Sequence, residues 1–487
     1  MNRLFPKRPA APGEWWRATC LPIVAVLAAC STSAPPYAPP TAAAPASFKE
    51  APTADATWFP AAPADALDRG PWWQLFGDPT LTALAEQVTV SNQNVAAAVA
   101  NYAQAQALVR QDRAALFPSL NLNGSVNRSG GPAAAGRPIS SQLGLGASWE
   151  PDLWGTLRQG LSSVQASAQI SAANLAAATL SAQAALATNY FALREADNEI
   201  ALLGAAVTAY ERSLRITQNQ YNAGIAQRTD VLEAQVQLAT TRANLTAMRG
   251  QRALLEHAIA LLVGKAPGEF GIAAADWKAT VPPVPLLLPS DLLQRRPDIA
   301  AAERAVAVAN ANIGIQRSAY FPSMSLTASA GAEGSSLASL FRSSAGLWSL
   351  GLTAAQTIFD AGAIKSRVEG AQAGRDAAVA NYRQAVLNAF GAVEDQLATS
   401  RSLAEQEGQR RAASADADRS EQLTLNQYLQ GQVPYTSVVT AQVTALSARQ
   451  TLSQLMSSRQ ASAIALIQAL GGGWHAPTAR ASGEASR

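Results

Sequence analysis

Apolar and polar residues change period along this chain of 487 residues. Between Leu116 and Asn127 they alternate: Leu120, Leu122 and Val126 share one side with Gly124, while Ser119, Asn121, Asn123 and Ser125 share the other. Gln142 to Glu150 alternates again, with Leu143, Leu145, Ala147 and Trp149 opposite Gln142, Gly144, Gly146, Ser148 and Glu150. Two later segments repeat the pattern. Met324, Leu326, Ala328 and Ala330 oppose Ser325, Thr327 and Ser329, and Trp348, Leu350 and Leu352 oppose Ser349, Gly351 and Thr353. A period of two predicts a strand with two unlike faces, so four strands are expected in two hairpin regions. Phe117-Pro118-Ser119 and Phe321-Pro322-Ser323 mark the matching entries.

Elsewhere the period is helical. Thr80 to Arg113 is Ala/Gln-rich and reads as helix, while Gly155–Tyr221 and Gly362–Tyr428 each run 67 residues without proline. At 1.5 Å per residue each predicts a helix about 100 Å long. Ile170, Ala173, Ala177, Leu180, Ala184 and Ala187 form one apolar stripe, and Leu175, Ala182, Leu186, Tyr190 and Leu193 form a second. Two stripes require neighbours on two sides, as in a wall of helices; a simple coiled coil needs one seam. Shorter return helices are expected over Thr229–Val263 and Thr436–Leu470.

The turns before those return helices expose a duplication. Asn219–Val236 (NQYNAGIAQRTDVLEAQV) and Asn426–Val443 (NQYLQGQVPYTSVVTAQV) lie 207 positions apart and share nine of eighteen residues. The chain is therefore two copies of one unit, helix then β-hairpin then long helix. Gly224 and Gly431 suit the left-handed cap that closes a helix, and a cap alone does not require the other shared residues.

Charge and cysteine usage narrow the class. The first 29 residues carry Arg3, Lys7, Arg8 and Arg17 against Glu14, which equals the net +3 of the whole chain, so the remainder is neutral. Nucleic-acid binding has no electrostatic support. Leu21–Ala29 is an apolar run behind that basic region, too short to span a bilayer, and residues 1–29 read as a secretory signal peptide. Cys20 lies inside it and Cys30 directly follows, so the mature chain has no disulfide framework. Leu27-Ala28-Ala29-Cys30 resembles the bacterial lipoprotein signal, which implies cleavage before Cys30 and its lipidation; a small-residue cleavage site beside a chance cysteine is the alternative. Ser31 is compatible with outer-membrane sorting in that class. Residues 30–65 read as a Pro/Ala-rich tether, 66–263 as the first repeat, 264–290 as a Pro-rich equatorial segment, 291–474 as the second repeat and 475–487 as a disordered tail.

Strands of about ten residues, small polar on one face and apolar or aromatic on the other, in an exported chain match an outer-membrane barrel, with Trp149 and Trp348 as interfacial aromatics. Four strands cannot close, and an open edge in lipid leaves backbone groups unpaired at several kcal/mol each. Other subunits must complete the barrel. Three copies supply twelve strands.

The assembled motifs resemble the TolC-like outer-membrane factors, in particular the NodT-type lipoproteins of resistance-nodulation-division efflux systems. WWQLFGDPTL from Trp72, LLQRRPDIAAAER from Leu292, AYFPSMSL, both NQY turns and the closing ALGGGW carry the resemblance. It implies a mostly α fold with a membrane β-barrel portion: a homotrimer whose 12-strand β-barrel continues into a periplasmic α-helical barrel. It also implies a passive exit duct that meets a periplasmic adaptor protein and, through it, an inner-membrane pump. By the same resemblance the adaptor contact falls at Tyr221, Gly224, Ile225, Tyr428, Gly431 and Val433. The candidate constriction is Thr229, Asp230, Glu233, Thr436 and Thr440, where Thr440 replaces the acidic residue that relatives commonly carry. A type I secretion duct and a lipid-anchored coiled-coil scaffold without a pore are the competing readings. No metal, cofactor or catalytic pattern stands out around His257 or His475.

Overall fold

The computed structural model describes residues 35–41, 43–50, 70–128, 139–277, 279–282 and 295–472. The expectations for the leader, Cys30, the tail and parts of the tether and equatorial segment lie outside the described residues. Within them the chain forms α1 (Pro79–Ser91), α2 (Gln93–Ala114), β1 (Ser119–Arg128), β2 (Ile139–Trp149), α3 (Thr156–Asn222) and α4 (Arg228–Leu262). The second repeat follows with α5 (Pro297–Ser318), β3 (Ser323–Gly334), β4 (Gly346–Ala355), α6 (Ala363–Leu429) and α7 (Tyr435–Ala469). The duplication shows in matched lengths: α3 and α6 are both 67 residues long, and α4 and α7 are both 35.

One expected helix is two. Asn92 leaves α1 in an extended conformation, and its side-chain oxygen accepts the backbone N–H groups of Asn94 and Val95 to cap α2. Its amide donates to the Leu262 carbonyl at 2.8 Å, so the break is anchored. Asparagine offers the backbone this alternative to helix, and the surrounding Ala/Gln composition conceals it.

The described residues fall into two compact units, and neither is a repeat. The first gathers residues of Met1–Thr41, Tyr102–Ser171 and Ala302–Tyr382; the second gathers those of Ala42–Asn101, Ala172–Ala301 and Arg383–Arg487. Each unit takes material from both copies.

The first unit holds one antiparallel sheet in the order β1-β2-β3-β4. The two hairpins pair through β2 and β3, with Leu145 opposite Ala330 and Ala147 opposite Ala328. Trp154 stacks on Phe321 with ring centroids 4.8 Å apart and donates to the Pro322 carbonyl, tying the β2–α3 junction to the α5–β3 junction. The segment 35–41 lies extended here. The Tyr37 hydroxyl donates to the Glu303 carboxylate, and the Asn310 amide donates to the Pro35 carbonyl.

The second unit is a helical core. Trp72, Trp73 and Phe76 form a short 3₁₀ turn that packs with Leu81, Val88, Tyr190, Phe191, Ile259 and Ile464, so the aromatic cluster that begins the folded chain is core. No residue of the two α3 stripes is exposed. Set among those apolar positions is an ionic knot. Asp197 accepts from Arg194 at 3.0 Å and from Arg252 at 2.6 Å, and the same arginines donate to the carbonyls of Ala273 and Ile272. The knot joins α3, α4 and the equatorial segment. In this unit the backbone N–H groups of Lys49 and Glu50 donate to the Glu394 carboxylate, Glu50 pairs with Arg401, and Phe48 is buried. Both described parts of the tether are therefore seated on the protein.

Candidate functional site

The sheet presents one apolar face that the chain leaves almost bare. Leu120, Leu122, Val126, Leu145, Leu350 and Leu352 are all exposed on it. Asn121, Asn123, Ser125, Thr327 and Ser349 line the opposite face. A contiguous apolar face of this extent belongs in lipid, with the polar face toward water. The edges of β1 and β4 have no strand partner among the described residues.

Trp149 and Trp348 occupy different levels. Trp149 ends β2 on the helix side, pairs with Leu326 and donates to the Leu116 carbonyl at 3.0 Å. Trp348 is 82% exposed and pairs with Ala330. The two lie four positions apart along β3, about 13 Å at strand rise. An apolar band about 25 Å tall is not bracketed by such a pair. Trp149 lies toward the helix side of the sheet, and Trp348 lies farther from it.

The two turns that precede α4 and α7 have one backbone design. In the first, the Ile225 N–H donates to the Gln220 carbonyl and the Gly224 N–H to that of Tyr221; in the second, Gln432 donates to Gln427 and Gly431 to Tyr428. Gly224 and Gly431 both have φ of 74°, the left-handed region that favours glycine. Their side chains differ. Tyr221 and Ile225 are exposed, Val433 is half-buried, and Tyr428 is buried against Tyr435 with ring centroids 5.3 Å apart. The Tyr428 hydroxyl donates to the Gln220 side chain at 2.5 Å. Tyr428 therefore faces the protein's own interior and is no part of the exposed tip surface.

The comparisons with known proteins agree with this geometry. The sequence pattern of the outer membrane efflux protein family matches residues 84–265 and 288–472, more than half of the chain. The chain belongs to the outer membrane efflux protein family. It is 32% identical over 474 residues to the toluene efflux pump outer membrane protein TtgC of Pseudomonas putida, covering 95% of this chain and 96% of that one. It is 30% identical over 461 residues to the probable outer membrane lipoprotein SilC of Salmonella typhimurium, covering 92% and 97%. The crystal structure of CusC, a cation efflux system protein of Escherichia coli, superposes with a TM-score of 0.80 at 28% identity, covering 91% of this chain and 100% of that one. The efflux-family protein is thus an outer-membrane channel component.

Within this efflux-family chain the candidate constriction residues are not equivalent. Thr229 is exposed, and Asp230 is half-buried in the first turn of α4. Glu233 is half-buried, and one of its carboxylate oxygens is enclosed without a hydrogen-bond donor. Thr436 and Thr440 line a groove between α6 and α7 with Ser420, Thr424 and Ser437, and the Thr440 hydroxyl donates to the Thr436 carbonyl. Behind them lies a polar layer that sequence reasoning missed: Ser213, Thr217 and Gln442 are all buried. The Tyr435 phenol, enclosed beside this layer, is pushed up to about 12 chiefly by burial. The readable signal was Ser213, Thr217 and Gln220 at helical spacing, one polar stripe on α3.

Proposed function

We propose that three copies of this chain close into a twelve-strand barrel and form the passive exit duct of a tripartite efflux system of the resistance-nodulation-division type. The observation that carries the reading is the four-stranded sheet with an exposed apolar face and, among the described residues, two edges without a strand partner. Because the strands alternate in direction, β4 of one copy pairs antiparallel with β1 of the next, and every edge amide finds a partner. The periplasmic adaptor meets the exposed turns around Tyr221, Gly224, Ile225 and Gly431, with Val433 at their margin. The inner-membrane pump behind it supplies the energy. Asp230 and Glu233 stand nearest the narrow mouth, and Thr440 leaves the second repeat without the matching acid. Cys30 carries the lipid anchor, a reading supported by the lipoprotein name of SilC. TtgC and CusC are named for toluene and for cations, so kinship at this level does not choose the cargo; small molecules selected by the pump are the class proposed.

Protein purified in mild detergent is expected to be trimeric and to conduct ions in a planar bilayer. Monomeric, non-conducting material would favour the lipid-anchored scaffold instead. For the turns, Gly224→Trp and Gly431→Trp are expected to impair efflux while the trimer remains. A Cβ at either position meets nothing within 4 Å, and the left-handed backbone costs about 1–2 kcal/mol. Trimer levels by gel and efflux of a fluorescent cargo check this; normal efflux in both variants removes the turns from the adaptor contact.

A further inference from the structure

The β3–β4 connection is more than a loop. By chain connectivity the four strand–helix junctions lie at one end of the sheet and the β3–β4 connection at the other. At that far rim Leu337–Phe341 forms a short 3₁₀ turn, held by reciprocal hydrogen bonds between Ser336 and Ser339. The turn folds back over the apolar face of the sheet. Gly334 is on that face, in register with Ser141, and a Cβ there would lie 2.0 Å from the Ser339 hydroxyl. Ser141 is 1% exposed, and Leu340 is buried.

The same turn aims other side chains outward. Phe341 is 85% exposed and Leu337 63%. Arg342 follows directly, and Arg128, at the end of β1, lies on the same face as Val126; both arginines are exposed and have no acidic partner among the described residues. Glu333 is on the opposite face, in register with Gln142, and the connection 129–138 contains no acidic residue. Phe341 lies in the connection at this rim, outside the strands that carry Trp149 and Trp348.

We propose that this turn is a clip into the outer leaflet of the membrane. Leu337 and Phe341 enter the acyl region at the upper boundary of the apolar band, and Arg128 and Arg342 hold the phosphates of the leaflet's phosphorylated glycolipid. The occupant follows from continuity with the lipid-facing sheet and from two uncompensated cations at headgroup level. The inference rests on the membrane-barrel reading above.

The test is photocrosslinking of the full-length protein in intact outer membranes, with p-benzoylphenylalanine in place of Phe341. Mass spectrometry is expected to find adducts to phosphorylated glycolipid. Arg128→Gln combined with Arg342→Gln is expected to lower their yield by about fivefold for each arginine, with conductance unchanged. Adducts to another copy of the chain, adducts confined to glycerophospholipid, or no adduct would each overturn the clip, and an unchanged yield in the arginine variant would overturn its phosphate contacts. Conductance in the same preparation separates the two readings: a conducting channel without the glycolipid adduct overturns the clip alone, whereas a non-conducting protein overturns both.

Discussion

Leu350→Arg is expected to remove most of the assembled channel from the membrane. Leu350 is exposed in the middle of β4, opposite Ala328, on the face assigned to lipid. An arginine on the lipid face near the bilayer midplane costs about 2–4 kcal/mol per copy, and a trimer carries the change three times. Its neighbour provides the control. The Ser349 hydroxyl lies 2.9 Å from that of Ser329, on the opposite face. Ser349→Arg should therefore assemble and shift ion preference toward anions, because the cation enters the water-filled interior. Trimer yield in isolated membranes and single-channel recordings of both variants check the pair. Normal yield for Leu350→Arg with loss of Ser349→Arg would mean that the two faces have been assigned the wrong way round.

Asp197→Ala is expected to cost about 3–5 kcal/mol in the helical core, because it leaves the buried Arg194 guanidinium without a carboxylate and Arg252 with Glu256 alone. Arg194 is almost wholly buried and Arg252 largely so, and each also donates to a carbonyl of the equatorial segment. Loss of the carboxylate should loosen that segment together with the α3–α4 contact. Glu369→Ala is the comparison. It breaks an exposed pair with Lys365 and should change stability by about 1 kcal/mol or less. Thermal unfolding followed by circular dichroism, on purified protein in one detergent, measures both; equal shifts would mean that the knot adds nothing beyond a surface ion pair.

This knot also marks where sequence reading stopped. Arg194 and Asp197 were visible as charges set into an apolar stripe of α3, but their partner Arg252 lies on another helix 55 positions from Asp197. Nothing in local pattern pairs them. Asn92 was hidden for the opposite reason: its effect is local, but helix propensity averaged over its Ala/Gln-rich neighbours outweighs one capping side chain until Leu262 is brought against it. Tyr221 and Tyr428 occupy identical positions in the repeated motif, yet one is exposed and the other is buried beside Tyr435. Repetition reports the shared backbone turn and is silent about which neighbours each copy meets.

What the sequence by itself determined was periodic and local. The alternation from Leu120 to Val126 and its three counterparts dictated strands with one lipid-compatible face, the proline-free runs dictated two helices of equal length, and the nine shared residues dictated the duplication. The strands and helices follow from geometry within a few residues of each position, and the duplication from comparing two local patterns. The tertiary structure alone decided which hairpins join, through β2 and β3, and that the compact units cut across the repeats. It alone placed Trp348 opposite Ala330, Tyr428 within the protein and the turn at Leu337–Phe341 over the sheet's far rim. Each of these depends on contacts between residues far apart in the chain, whose free energy is set by the surface they bury together and by the hydrogen bonds they complete, and neither quantity is present in a local pattern.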